Sequence, residues 1–158
     1  MPPTDVLLVD QLDPGALAAV IEPLLERRHG WANVLPEIPD DIDVPPTPGR
    51  LAIFNKRGPL IPMGTWTAPS QQRDGGVAPS ELGILHGQGA RVVEKLAGTA
   101  GELPSGWQVV QDHPRRGLVV SPTAGASTNA IATWLLGALG VLCIPPRTDR
   151  FRVYLYDK

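Results

Sequence analysis

Cysteine is almost missing from this chain, with only Cys143 present among 158 residues. No disulfide can close within the chain, and no CxxC-type redox or metal motif exists. Cys143 lies in the apolar run Val141-Leu142-Cys143-Ile144. It reads as a small buried hydrophobe, because nothing near it in sequence would lower a thiol pKa. Aromatic residues are scarce as well, at 5%. The runs 82–85 and 117–120 contain none, which removes the RNA-binding sheets that stack bases on aromatic side chains of their central strands.

A cationic excess is also lacking. Fourteen Lys and Arg stand against 16 Asp and Glu, for a net charge of −2. Nucleic-acid affinity comes largely from phosphate neutralisation, and the cations are spread out, with adjacent basic pairs only at Arg27-Arg28, Lys56-Arg57 and Arg115-Arg116, so no nucleic-acid partner is expected. The longest apolar stretch, 130–144, falls short of a bilayer span and is broken by Thr133, Gly137 and Gly140. The start, Met1-Pro2-Pro3-Thr4-Asp5, has no basic segment of the kind that opens a secretory signal. The expectation is a cytoplasmic protein with no membrane partner. Arginine outnumbers lysine, and alanine, glycine and proline abound, a usage common in GC-rich bacteria.

Chemical signatures are missing too. His29, His86 and His113 are far apart with no H-x-x-x-H spacing, and Asp40, Asp41 and Asp43 lack the glycine and terminal glutamate of a calcium loop. Neither G-x-S-x-G nor S-x-x-K occurs, and no nucleotide fingerprint is matched. No metal and no cofactor are expected.

What remains is a composition that is 42% hydrophobic and 19% charged, suited to one globular domain. A chain of this length can bury roughly 70% of its unfolded surface, so it needs no metal or disulfide to fold. The expected class is α+β, a mixed or antiparallel sheet with helices on one face. Five segments divide the single domain: a helical region over 1–34, a proline- and acid-rich connection over 35–49, a hairpin within 50–67, a flexible loop over 68–79, and a βαββαβ unit over 80–158.

Within 1–34, Val6-Leu7-Leu8-Val9 reads as an edge strand or packed arm. Asp13 as N-cap with Pro14 at the first helical position opens a helix. Leu17, Val20, Ile21, Leu24 and Leu25 form its apolar stripe. Pro23 is expected to kink or split it, and Gly30 to end it after Arg27, Arg28 and His29. The prolines of 35–49 argue against a helix or a central strand there. The runs 51–54 and 60–63 flank Asn55-Lys56-Arg57-Gly58 as a hairpin.

From residue 80 the expected order is strand (82–86), helix (90–97), hairpin (107–112 and 117–121), helix capped by Ser127 or Thr128, and strand (151–156). One long helix over 80–97 is the alternative for its opening, disfavoured by three interior glycines at about 1 kcal/mol each. This order resembles the ferredoxin-like split β-α-β unit. In the second helix Ile131, Trp134, Leu135, Ala138, Leu139 and Leu142 share a face, while Gly137 and Gly140 invite close packing on the sheet or on a second subunit. The helix is apolar around so much of its circumference that a homodimer is expected to cover it.

Two segments could carry a ligand. His86-Gly87-Gln88-Gly89 joins a strand to a helix, where glycines let backbone approach an anion and helix N–H groups are free. Asp112 and His113 at the hairpin tip could pair as acid and base, with Arg115 and Arg116 as anion clamps, although neighbouring strand residues face opposite sides. Each has a plainer reading as a turn. The functional expectation is therefore a non-catalytic, self-associating interaction domain that uses the exposed sheet face or the C-terminal helix. The alternative is a small enzyme or anion-binding domain with a pocket near His86, Asp112, His113 and Arg115, which a cleft lined by two or more of these polar side chains would favour.

Overall fold

A computed structural model describes residues 1–45 and 58–157. It is a mixed α+β structure with three helices, a large antiparallel sheet and a small two-stranded one. The elements are β1 (Asp5–Asp10), α1 (Pro14–Arg27), β2 (Trp31–Pro36), β3 (Met63–Thr67), β4 (Ser70–Gln71), β5 (Val77–Ala78), β6 (Glu81–Leu85), α2 (Val92–Leu96), β7 (Gln108–His113), β8 (Gly117–Ser121), α3 (Thr128–Leu142) and β9 (Arg150–Tyr156). Seven strands form one sheet in the order β1-β9-β2-β3-β6-β8-β7, antiparallel at each step. β4 and β5 pair with each other.

Alternation along the strands places the core. Phe151, Val153 and Leu155 of β9 are buried, as are Ala32 and Val34 of β2, Trp66 of β3, Leu82 and Ile84 of β6, and Leu118 and Val120 of β8. These join Leu17, Ile21 and Leu24 of α1 and the apolar residues of α3 in one cluster. A Cβ at Gly64 of β3 would stand 2.6 Å from Leu135 Cδ1 and 3.1 Å from Leu139 Cδ1, so the missing side chain lets α3 settle directly on the sheet.

Several expectations hold. Asp13 caps α1 through the N–H of Ala16 (3.3 Å), with Pro14 following. Ser127 caps α3 through the N–H of Ala130 (3.1 Å). All six residues expected on the apolar face of α3 are buried. Residues 81–85 form a strand, which overturns the single helix over 80–97.

Other expectations are corrected. α1 continues past Pro23 to Arg27 as one helix, so Pro23 does not split it, and the left-handed cap at its end is Arg28 (φ 52°), two residues before Gly30 (φ 95°). The segment 35–49 contributes the end of β2, an interior strand of the sheet. Both faces of β2 carry apolar residues, with Trp31 and Leu35 opposite Ala32 and Val34, so no polar alternation announces it. The loop expected over 68–79 contains the β4–β5 hairpin. Of the hairpin expected within 50–67, residues 50–57 lie outside the described residues. Its second arm begins only at Met63, pairing with β2 and β6.

The βαββαβ element order is present from β6 to β9, but the ferredoxin-like sheet is interrupted. β6, β8 and β7 lie side by side as that unit requires, whereas β2 and β3 stand between β6 and the closing strand β9.

The reason for expecting a dimer across α3 also falls. Trp134 Nε1 donates to the carbonyl of Gly101 (3.0 Å), and a Cβ at Gly137 would meet the carbonyl oxygen of Ala100 at 2.2 Å. Gly140 lies under the Arg147 guanidinium, whose Nε donates to the Gly140 carbonyl (3.3 Å). The small residues therefore admit the chain's own 100–101 backbone and Arg147, while α1 packs along another side of the helix.

Candidate functional site

The segment His86-Gly87-Gln88-Gly89 leaves β6 and turns toward α2. Its imidazole is 1% exposed, with Nδ1 accepting the N–H of Gln88 (3.2 Å). Burial lowers the His86 pKa, Asp112 partly opposes this, and Lys95 adds to it. With Nδ1 an acceptor, the neutral ring carries its proton on Nε2, which is buried without a partner among the described residues. Gln88 Nε2 donates to the Leu142 carbonyl (3.3 Å), and Lys95 Nζ donates to the Gln88 carbonyl. Gly87 lets the backbone at Gly58 and Pro59 lie against the turn, since a Cβ there would stand 2.9 Å from the Pro59 oxygen. The turn is thus held on three sides by its own chain.

The donors expected to meet an external anion are already engaged. Asp112 accepts the N–H of Val92 (3.2 Å) on one oxygen and of Val93 (3.1 Å) on the other. An internal carboxylate fills the start of α2, so Gly87 and Gly89 do not gather free helix donors around a ligand. His113 turns elsewhere: its Nδ1 accepts the N–H groups of Arg115 and Arg116, both at 3.1 Å. Asp112 and His113 are not an acid–base pair, as their opposite strand faces implied. Arg115 and Arg116 are exposed at the hairpin tip, which Gly117 (φ 85°) closes.

A cleft of about 420 Å³ is lined by Gly87, Gln88, Gly89, Cys143 and Ile144. Another of about 590 Å³ lies between α1, β5 and the β8–α3 connection, with Leu25, Val77 and Ile131 in its walls together with Glu26 and Arg28. Neither is lined by any of His86, Asp112, His113 or Arg115. Cys143 is half-buried, contrary to full burial. Desolvation pushes its thiol pKa up and Arg147 partly offsets this, which disfavours the thiolate. Among the described residues no cluster of three or more His, Cys, Asp or Glu could hold a metal ion, and no helix is long and apolar enough to cross a membrane.

A further feature is the sheet face turned away from the core. Trp31 of β2 stacks on Tyr156 of β9, with centroids 4.8 Å apart and planes 8° apart. The next row carries Tyr154, Asn33, Thr65 and Gly83, with Thr65 Oγ1 donating to Asn33 Oδ1 (2.9 Å). Among the described residues no atom lies within 4 Å of where a Gly83 Cβ would stand, which leaves the centre of the face open to them. Leu8, Arg152, Leu35, Met63 and Leu85 form a third row. Here a groove of about 290 Å³ runs past Leu35, Tyr154 and Arg152, with Ile38 and Ile61 also lining it. Glu37 receives Arg150 Nε at 2.9 Å beside it.

Sequence reasoning offered the free sheet face as an interaction surface but named none of these residues. Its signal was the pair Tyr154 and Tyr156, aromatic residues at the positions of β9 that alternate with the core residues. Comparison with protein-family models, with characterised proteins and with solved structures finds no match to this chain.

Proposed function

We propose that this chain is a non-catalytic protein-interaction domain that binds through the outer face of its sheet and also self-associates. The outer face carries this reading. It presents a stacked Trp–Tyr pair, a second tyrosine, four aliphatic or methionine side chains and an arginine-flanked groove. Tyrosine, tryptophan, methionine and arginine are the residues enriched at protein interfaces, and aromatic anchors near a groove are where binding energy concentrates. The groove is of a size to take one side chain of a partner, and the open centre over Gly83 lets a polypeptide approach the backbone. A solvated location in a bacterial cytoplasm fits the single cysteine and the arginine-rich composition.

The second reading, a small-ligand domain around His86, is favoured by the Nε2 of that buried ring, which has no partner among the described residues, and by the cleft along Gly87, Gln88 and Gly89. Against it stands the carboxylate of Asp112 at the donors an anion would use.

Photo-cross-linking tests the interaction reading. A photoreactive residue at position 35 or 154 is expected to capture a discrete protein partner in cell extract, and one at Glu26, on the helical side, is not. Capture that is equal at all three positions, or absent at 35 and 154, overturns the outer face as the binding surface.

A further inference from the structure

We infer that β7 is a self-recognition edge, at which two copies of this chain join antiparallel into one continuous sheet. The inference rests on the interaction reading and locates its self-association. The large sheet has two edges, β1 and β7, and they differ in a way that chemistry can rank.

β1 is guarded. Its sequence begins with Asp5 and ends with Asp10, so symmetric antiparallel pairing of β1 with itself would set Asp5 against Asp10 of the second copy. Like charges directly opposite destabilise a strand pair. The N–H of Val6 is moreover engaged by Asp5 Oδ1 at 2.8 Å. Acidic ends of this kind are a recognised protection for an edge strand.

β7 is not closed by acids at its two ends, and the edge-protecting device that it has is a bulge. Gln108-Val109-Val110-Gln111 has no charge and reads the same in both directions. A two-fold axis between Val109 and Val110 therefore pairs Gln108 with Gln111 of the second copy and Val109 with Val110 of the second copy, and the reverse contacts repeat them. Both valines are exposed, Val109 at 42% and Val110 at 62%. The register with β8 passes from Val109 to Gln111, leaving Val110 as the bulged residue without a place in that ladder. A bulge removes the flat edge that would accept any strand. Here it leaves the self-complementary tetrad as the apolar part of β7 that awaits a partner.

The neighbouring polar side chains do not obstruct the approach. Gln111 Nε2 is folded back onto the carbonyls of Arg116 (3.0 Å) and Gly117 (3.2 Å). Asp112 is held at the start of α2, and His113 within its own turn. Four residues a side is a short seam compared with the roughly 800 Å² per partner of a standard interface, so the dimer should be weak, with a Kd on the order of 10–100 µM.

Sedimentation of the whole chain from about 5 µM to about 500 µM tests this, because the range spans that Kd. The expected result is a reversible shift from monomer to dimer. Val110→Lys should remain monomeric throughout with an unchanged Tm, while Val6→Lys on β1 should dimerise like wild type. Amide hydrogen exchange gives a readout independent of any variant: protection at 108–111 should rise with protein concentration. A wild type that is monomeric across the range overturns the inference. So does a dimer that survives Val110→Lys, or one without added protection at 108–111. A dimer lost in Tyr154→Ala but kept in Val110→Lys would place self-association on the sheet face, sinking the edge assignment while leaving the interaction reading standing.

Discussion

Asp112 on β7 accepts the backbone N–H of Val92 at 3.2 Å, so a strand distant in sequence supplies the N-terminal cap that α2 lacks. The residue at the cap position, Arg91, has φ 56° and makes no side-chain capping bond. The same carboxylate also takes the N–H of Val93. One acid thus ties a five-residue helix, too short to be stable alone, to the edge of the sheet.

Asp112→Ala is expected to destabilise the fold by about 1–2 kcal/mol, the usual cost of losing a capping carboxylate. Asp112→Asn keeps an acceptor oxygen and should cost less. Urea denaturation of the three proteins decides it, and an alanine variant within about 0.5 kcal/mol of wild type would show that the cap is immaterial.

Two glycines in adjacent strands should respond in opposite ways. At Gly64 a methyl group would press on Leu135 Cδ1 (2.6 Å) and Leu139 Cδ1 (3.1 Å), whereas at Gly83 it would meet nothing within 4 Å. Gly64→Ala is expected to destabilise by about 1–3 kcal/mol through overpacking. Gly83→Ala should be neutral or stabilising by up to about 1 kcal/mol, because glycine weakens a strand. Equal changes in thermal stability would mean that α3 does not rest on Gly64.

The hairpin offers a sharper contrast. Gly117 has φ 85°, and a Cβ there would come within 2.3 Å of the Ile84 carbonyl oxygen. Backbone strain and collision with a neighbouring strand act together, so Gly117→Val should cost about 3 kcal/mol or more. Arg115→Ala, at an exposed tip, should stay within about 0.5 kcal/mol. Chemical denaturation that finds the two variants alike would refute this account of the turn.

His86 predicts a pH dependence. Burial holds its pKa below the ordinary 6.5, so the unfolded chain takes up the proton first as pH falls. The stability from keeping the ring neutral is full above the unfolded value. It is lost as pH drops from there toward the folded value, and the loss levels off below that. His86→Asn keeps an acceptor for the Gln88 N–H and removes the titration. Wild type should therefore lose more Tm than the variant between about pH 7.5 and about pH 5. Parallel curves over that interval would show that His86 is not buried neutral.

Local signals were legible wherever a residue acts on its own neighbours. Asp13 before Pro14, Ser127 before α3, the apolar stripes of α1 and α3 and the alternation of β9 each depend on interactions within a few positions of chain. Their spacing therefore carried the α+β class and most elements after residue 80. Tertiary structure decided what depends on partners far apart in sequence. β2 and β3 entered between β6 and β9 because Ala32, Val34, Gly64 and Trp66 complete the inner face there, a fit that six half-apolar residues beside a proline do not announce. The helix donors beside the expected anion loop went to Asp112, 20 residues beyond Val92, a partner that no local spacing announces. The apolar α3, which suggested a second subunit, is covered by α1 and by the backbone at 100–101, since Gly137 and Gly101 let those chains approach. The outer face, with Trp31 and Tyr156 brought together from opposite ends of the chain, exists only once β2 and β9 pair. Short-range order follows from propensity and periodicity, which act within a few residues. Long-range pairing is chosen by which surfaces bury one another best, and that is settled only when the whole chain packs.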